Sequence, residues 1–181
     1  CTLTNNDQQA YITVVKVVTN DNGGSAAPDD FDLTLEGNAV SSGVAVAVNP
    51  GTYTAGETLL SGYTFEGFTG DCDANGDTTV ALGESKTCTL TNNDIQPKLT
   101  LVKTVINDNG GTKTVADFPL FVNGNSVTSG VSNGFDAGSY TASETSQYGY
   151  TASEWGGDCA ANGSVTLSVG DDKTCTITND D

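Results

Sequence analysis

Cys1-Thr2-Leu3-Thr4-Asn5-Asn6-Asp7 opens the chain, Cys88-Thr89-Leu90-Thr91-Asn92-Asn93-Asp94 restates it, and Cys175-Thr176-Ile177-Thr178-Asn179-Asp180-Asp181 closes it. The spacing is 87 residues each time. The same offset carries Lys16 onto Lys103, Glu57 onto Glu144, Cys72 onto Cys159, and Asn20–Gly24 onto Asn107–Gly111. Self-similarity at a fixed period makes the chain a tandem array. Around the repeated motif the sequence reads as strands. Tyr11–Val18 is β-branched and bounded by an Asn-Gly cluster. Phe31–Leu35 alternates, and Val44–Val48 stops at Asn49-Pro50-Gly51. Thr52–Ala55, Thr78–Leu82 and Cys88–Asn92 complete six or seven strands per repeat, with no helical period. The expectation is an all-β chain of tandem antiparallel β-sandwiches. Residues 1–7 would be the closing strand of a preceding repeat, and 8–94 and 95–181 two sandwich repeats. Pro97 stiffens the short connector, so a rod is expected.

Composition removes several function classes. Twenty-three acidic residues against six lysines give a net charge of −17. Such a surface repels nucleic acid and anionic lipid. There is no histidine and no arginine, so histidine-based nucleophile systems, histidine metal ligation and bidentate phosphate clamps are absent. No apolar run approaches the ~18 residues of a membrane span. Paired cysteines in an acidic, methionine-free chain suggest an oxidising, extracellular or cell-surface setting. Cys72 with Cys88 and Cys159 with Cys175 are the expected disulfides. Cys1 would be the second member of a pair whose first lies in an upstream repeat; the alternative is a lipidated N-terminus.

Strand parity then places three polar residues where apolar ones belong. Lys16 shares a face with Ile12, Val14 and Val18, and Lys103 with Leu99, Leu101 and Val105. Asn92 aligns with Cys88 and Leu90, and Asn179 with Cys175 and Ile177. Glu57 aligns with Tyr53 and Ala55, and Glu144 with Tyr140 and Ala142. Each repeat thus aims one lysine, one glutamate and one asparagine at its core. Two readings follow. One is a buried ion pair with a hydrogen-bonded asparagine. The other is chemical. Desolvation favours neutral amines and neutral carboxyls. A neutral amine attacks the carboxamide, the acid shuttles protons, and ammonia leaves behind an intramolecular isopeptide bond.

This ordered set resembles the SpaA-type and Cna-B-type prealbumin-like domains of bacterial surface proteins and pili. The elements are Lys16, Gly51-Thr52-Tyr53-Thr54-Ala55-Gly56-Glu57, Gly62-Tyr63 and Thr89-Leu90-Thr91-Asn92. Their counterparts are Lys103, Gly138 to Glu144, Gly149-Tyr150 and Thr176-Ile177-Thr178-Asn179. The resemblance implies an Ig-like sandwich in each repeat. It also implies a Lys-Asn bond, Lys16 to Asn92 and Lys103 to Asn179, with Glu57 and Glu144 as the catalytic acids. It implies a structural segment of an extracellular filament, stalk or pilus-like fibre, not an enzyme beyond single-turnover self-crosslinking. Partners would be neighbouring copies in a fibre, with no nucleic acid and no membrane insertion by this segment.

Two further features invite ligands. Asp71, Asp73 and Asn75 have the oxygen spacing of half a calcium loop, against the alternative of a hairpin turn pinned by the disulfide. Asp21, with Asn20, Asn22, Asp29 and Asp30, is a second candidate, against ordinary turn chemistry. No other cofactor is expected. The segments 59–70 and 146–157 differ most in aromatic content. Tyr63, Phe65, Phe68, Tyr148, Tyr150 and Trp155 form either a binding platform or core and rim packing. The rival reading is therefore an adhesin-type module that recognises a glycan or host receptor through variable loops.

Overall fold

The computed structural model describes residues 1–4 and 6–181; Asn5, within the expected closing strand 1–7, lies outside the described residues. The chain divides into two compact units, residues 1–21 with 25–94, and residues 22–24 with 95–181. Among the described residues no helix is long and apolar enough to cross a membrane.

The first unit contains β1 (Ala10–Thr19), β2 (Leu33–Leu35), β3 (Asn38–Val40), β4 (Ala45–Val48), β5 (Gly51–Glu57), β6 (Tyr63–Gly70), β7 (Asp77–Val80) and β8 (Ser85–Asp94). They build two sheets, ordered β4-β1-β8-β6 and β3-β2-β5-β7. Alternation buries Ile12, Val14 and Leu90 from the first sheet against Leu33, Leu35, Ala55 and Val80 from the second. Each of the valine, leucine and isoleucine side chains among them contributes roughly 1.5–3 kcal/mol. Among the described residues of this unit, pairing is antiparallel with one exception. β1 and β8 lie side by side in parallel, in register from Tyr11↔Ser85 to Thr19↔Asn93. The first strand therefore enters one end of the unit and the last leaves at the other.

The second unit repeats the plan. It holds β9 (Lys98–Ile106), β10 (Leu120–Val122), β11 (Asn125–Val127), β12 (Ser132–Gly134), β13 (Gly138–Glu144), β14 (Thr151–Ala152), β15 (Gly156–Gly157), β16 (Ser164–Leu167) and β17 (Asp172–Asp180). β9 and β17 are again parallel neighbours, with Ile177 opposite Lys103. Leu99, Leu101, Leu120, Val122, Leu167 and Ile177 form its core.

Among the described residues, eight strands in one unit and nine in the other exceed the six or seven read from sequence. β3 hides behind a two-residue turn, Glu36-Gly37, both residues at positive φ. Its sister turn, Asn123-Gly124, carries the expected residue pair. β6 escapes the alternation rule because a bulge between Phe65 and Gly67 shifts its register against β8.

The loop before β7 turns on Gly76 at φ +87°, where an added Cβ would lie 2.5 Å from the Ala55 carbonyl oxygen and 2.7 Å from the Phe68 ring. Gly163 has the same setting against the Ala142 carbonyl, at 2.3 Å. Gly76→Ala combines left-handed strain with a backbone clash. The expected loss is about 2–4 kcal/mol, read by denaturant unfolding of the first unit; a loss under about 0.5 kcal/mol would contradict this packing.

Candidate functional site

In the first unit Lys16 comes from β1 and Asn92 from β8, adjacent strands of one sheet, and Glu57 ends β5 in the facing sheet. The acid therefore crosses the gap between sheets to reach a pair already brought together by the parallel ladder. Lys16 Nζ donates to Glu57 Oε2 and, at 2.5 Å, to Asn92 Oδ1. The lysine side chain is 0% exposed and Asn92 is 0% exposed. A fourth residue shapes the site. Lys16 Nζ lies 4.3 Å from the centroid of the Phe31 ring. Phe31 meets Tyr63 edge-on at 5.5 Å. Tyr63 in turn donates to Asn20 Oδ1 at 2.6 Å and accepts from the Ala26 N–H at 3.0 Å. The amine is thus walled off from water by an aromatic face that is itself anchored.

Burial holds the Lys16 amine below its ordinary pKa, against the opposing pull of the Glu57 hydrogen bond and charge. Within this trio, two buried atoms have no hydrogen-bond partner: Glu57 Oε1 and Asn92 Nδ2. An orphaned buried polar atom costs about 1–3 kcal/mol. The site stores that cost on one oxygen of the acid and on the amide nitrogen.

The second unit repeats two of the three contacts. Lys103 Nζ donates to Glu144 Oε2 at 2.6 Å and sits 4.7 Å from the Phe118 ring centroid. Phe118 meets Tyr150 at 5.3 Å. Burial again lowers the lysine pKa against the pull of its acid partner. Asn179 is buried at 1% exposure, but its Oδ1 has no hydrogen-bond partner. Phe31 and Phe118 were not singled out from sequence as part of the site. The signal was present, since the repeat offset superposes them.

Cys72–Cys88 and Cys159–Cys175 are bonded, each with Cα atoms 5.1 Å apart, and Cys1 is free and exposed. The candidate calcium residues Asp73, Asp71 and Asp21 take part in hydrogen bonds within the fold. Asp73 accepts from the Asn75 and Asp77 N–H groups at 2.8 and 2.9 Å, which hold its carboxyl below the usual range. Asp71 accepts from the Thr87 N–H at 2.7 Å. The Asp21 N–H donates to Asp94 at 3.1 Å. Among the described residues the three acids that approach one another are Asp108, Asp180 and Asp181. There Asp181 already accepts from the N–H groups of Asp108, Asn109 and Gly111. The aromatic residues mostly pack. Tyr63 is buried, Phe65 meets Phe68 at 5.0 Å, and Trp155 lies against the second core. Tyr148 projects fully, at 103% exposure.

The prealbumin-like fold domain of SpaA type matches residues 7–90 and again 94–177. The chain belongs to this family. Among solved structures, the Bacillus anthracis TIE protein is similar at 18% identity and TM-score 0.53, over 96% of this chain and 34% of that one. The chain thus spans about a third of the TIE protein's length. A C-terminal fragment of the pilus adhesin SpaC from Lactobacillus rhamnosus GG aligns at 16% identity and TM-score 0.46, over 96% of this chain and 97% of the fragment. The major pilin from Streptococcus pyogenes aligns at 15% identity and TM-score 0.35, over 98% and 99%. These likenesses are of fold. No curated protein matches the chain.

Proposed function

We propose that this chain is a structural segment of an extracellular filament of pilus type, and that each repeat locks itself with a Lys-Asn isopeptide bond. The observation that carries the reading is the Lys16 amine held between Glu57 and Asn92 in a dry interior. In the reaction the neutral amine attacks Asn92 Cγ. Glu57 takes a proton from the attacking nitrogen and delivers one to the departing amide nitrogen. The Cγ–Nδ2 bond breaks, ammonia leaves, and an amide joins β1 to β8. Near-attack geometry supplies what a poor electrophile lacks. The product also discards the orphaned Asn92 Nδ2 and the buried charge of the amine, so the reaction removes two costs of the unreacted core. Lys103, Glu144 and Asn179 would do the same in the second unit.

The parallel neighbours β1 and β8 support a mechanical role. Tension on the ends of a unit shears that ladder, and the bond would sit across it. Membership of the SpaA-type prealbumin-like family supports the setting, through the resemblance to domains of bacterial surface proteins and pili. The crosslink needs no metal, and calcium plays no part in this proposal. The test is intact mass under reducing conditions. The native chain is expected to be lighter than its sequence by about 17 Da per repeat. Glu57→Gln should restore one such increment, and Glu57→Gln with Glu144→Gln both. A native chain at full sequence mass would reject the crosslink.

A further inference from the structure

The two repeats differ at one open side of the sandwich. In the first, a slot of about 490 Å³ opens between the edge strands β3 and β4, lined by Leu35, Val40, Val44, Val46, Val48 and Tyr53. The repeat offset puts Phe135 where Val48 stands. Phe135 packs against the second core, its ring 5.0 Å from that of Tyr140, the counterpart of Tyr53. The offset also replaces Val46 by Asn133 and Ala39 by Ser126. The second repeat therefore places its own aromatic side chain at this position, packed against its core, and makes the rim polar. The first leaves the space apolar and open.

Charge differs at the same place. A neighbouring hollow shares Ala39, Val40 and Ser41 with the slot and carries Asp29 and Asp32, while Glu36 stands on the slot's own rim. Their counterparts are Ala116, Pro119 and Asn123, all uncharged. No lysine occurs between Lys16 and Lys86, and Lys16 is buried. The slot thus sits in negative potential. A second copy of a chain with net charge −17 is repelled there, and a cationic segment is drawn in.

We propose that this slot docks a basic polypeptide segment of another protein, which inserts one aromatic side chain into the place Phe135 takes in the second repeat. A buried aromatic anchor with a charged rim is the usual division of labour at such a contact: the ring supplies affinity and the charges supply steering. The proposal assigns the first repeat a recognition role that the second lacks. It does not depend on the isopeptide bond.

The probe is a synthetic amidated peptide, Lys-Thr-Phe-Thr-Lys-Lys, titrated into the full isotopically labelled chain and followed by NMR. Saturable shifts confined to β2 to β5 are expected. Replacing the peptide's phenylalanine by alanine should weaken binding at least about tenfold. Val48→Phe, which installs the second repeat's own plug, should weaken it as much while the chain stays folded. Should that variant fail to fold, Val46→Asn, again the sister residue, serves the same purpose. Asp29→Asn with Asp32→Asn and Glu36→Gln should weaken binding and flatten its salt dependence. The proposal is overturned by absent binding, by equal binding of the alanine peptide, or by undiminished binding to the plugged variant. Shifts at the slot that grow with chain concentration alone would also overturn it, in favour of a second copy.

Discussion

Held at both ends and pulled, the native chain is expected to show no unfolding step from within either crosslinked span. A Glu57→Ala chain should show one. Lys16 and Asn92 are 76 residues apart in sequence but in direct contact. Without the bond, shearing β1 from β8 frees that whole segment, about 260 Å of contour at ~3.4 Å per residue. The disulfide, spanning 16 residues, withholds about 55 Å of it until reduced. The expected step is therefore about 200 Å in oxidising buffer and about 260 Å with reductant. Adding Glu144→Ala should produce a second step of the same size from the second unit. Single-molecule force extension reads all three. Full-length steps in the native chain would show the strands joined by hydrogen bonds alone.

Loss of a disulfide is the next largest effect. Cys88 and Cys175 are completely buried, and each bond ties the start of the loop before β7 or β16 to the closing strand. Closing a 16-residue loop is worth about 3 kcal/mol in the chain-entropy model. Cys72→Ala with Cys88→Ala should lower that unit's Tm by roughly 15 °C, since ~1 kcal/mol moves a domain of this size by several degrees. Alanine avoids leaving a buried hydroxyl without a partner. The loop lies inside the larger lysine–asparagine span, so the drop should persist in the crosslinked chain. A fall of only a degree or two by calorimetry would mean that native strain cancels the loop-closure term.

Much of this was legible in the sequence because the chain supplies its own comparison. The parity that put Lys16 beside Ile12 and Val14 held through β1, where Ala10, Ile12, Val14 and Lys16 are all buried. It held in β8 through Cys88, Leu90 and Asn92. Period-two alternation is a local signal, and long strands carry enough of it to be read. What escaped was not local. Nothing in the composition of Tyr11–Val18 or Cys88–Asn92 announces that the two run side by side in parallel. Phe31 was read as a strand residue, yet it lies just before β2 and roofs the amine. That role depends on where the 3₁₀ turn Pro28–Asp30 delivers it. The slot was missed for a different reason. A valine in place of a phenylalanine is conservative in a hydropathy pattern, and only the volume it leaves empty betrays the change.

The parallel pairing of first and last strands also sets a clock. β1 is made early, but the neighbour that completes its sheet arrives only when the rest of the unit has been synthesised. Contacts so distant along the chain form late and slowly. A unit threaded through a narrow export channel, amino end first, cannot bring its carboxamide to its amine while the tail is still inside. The proposed covalent closure would thereby wait until delivery is complete, and the topology itself would guard such a passage against a plug of prematurely knotted chain.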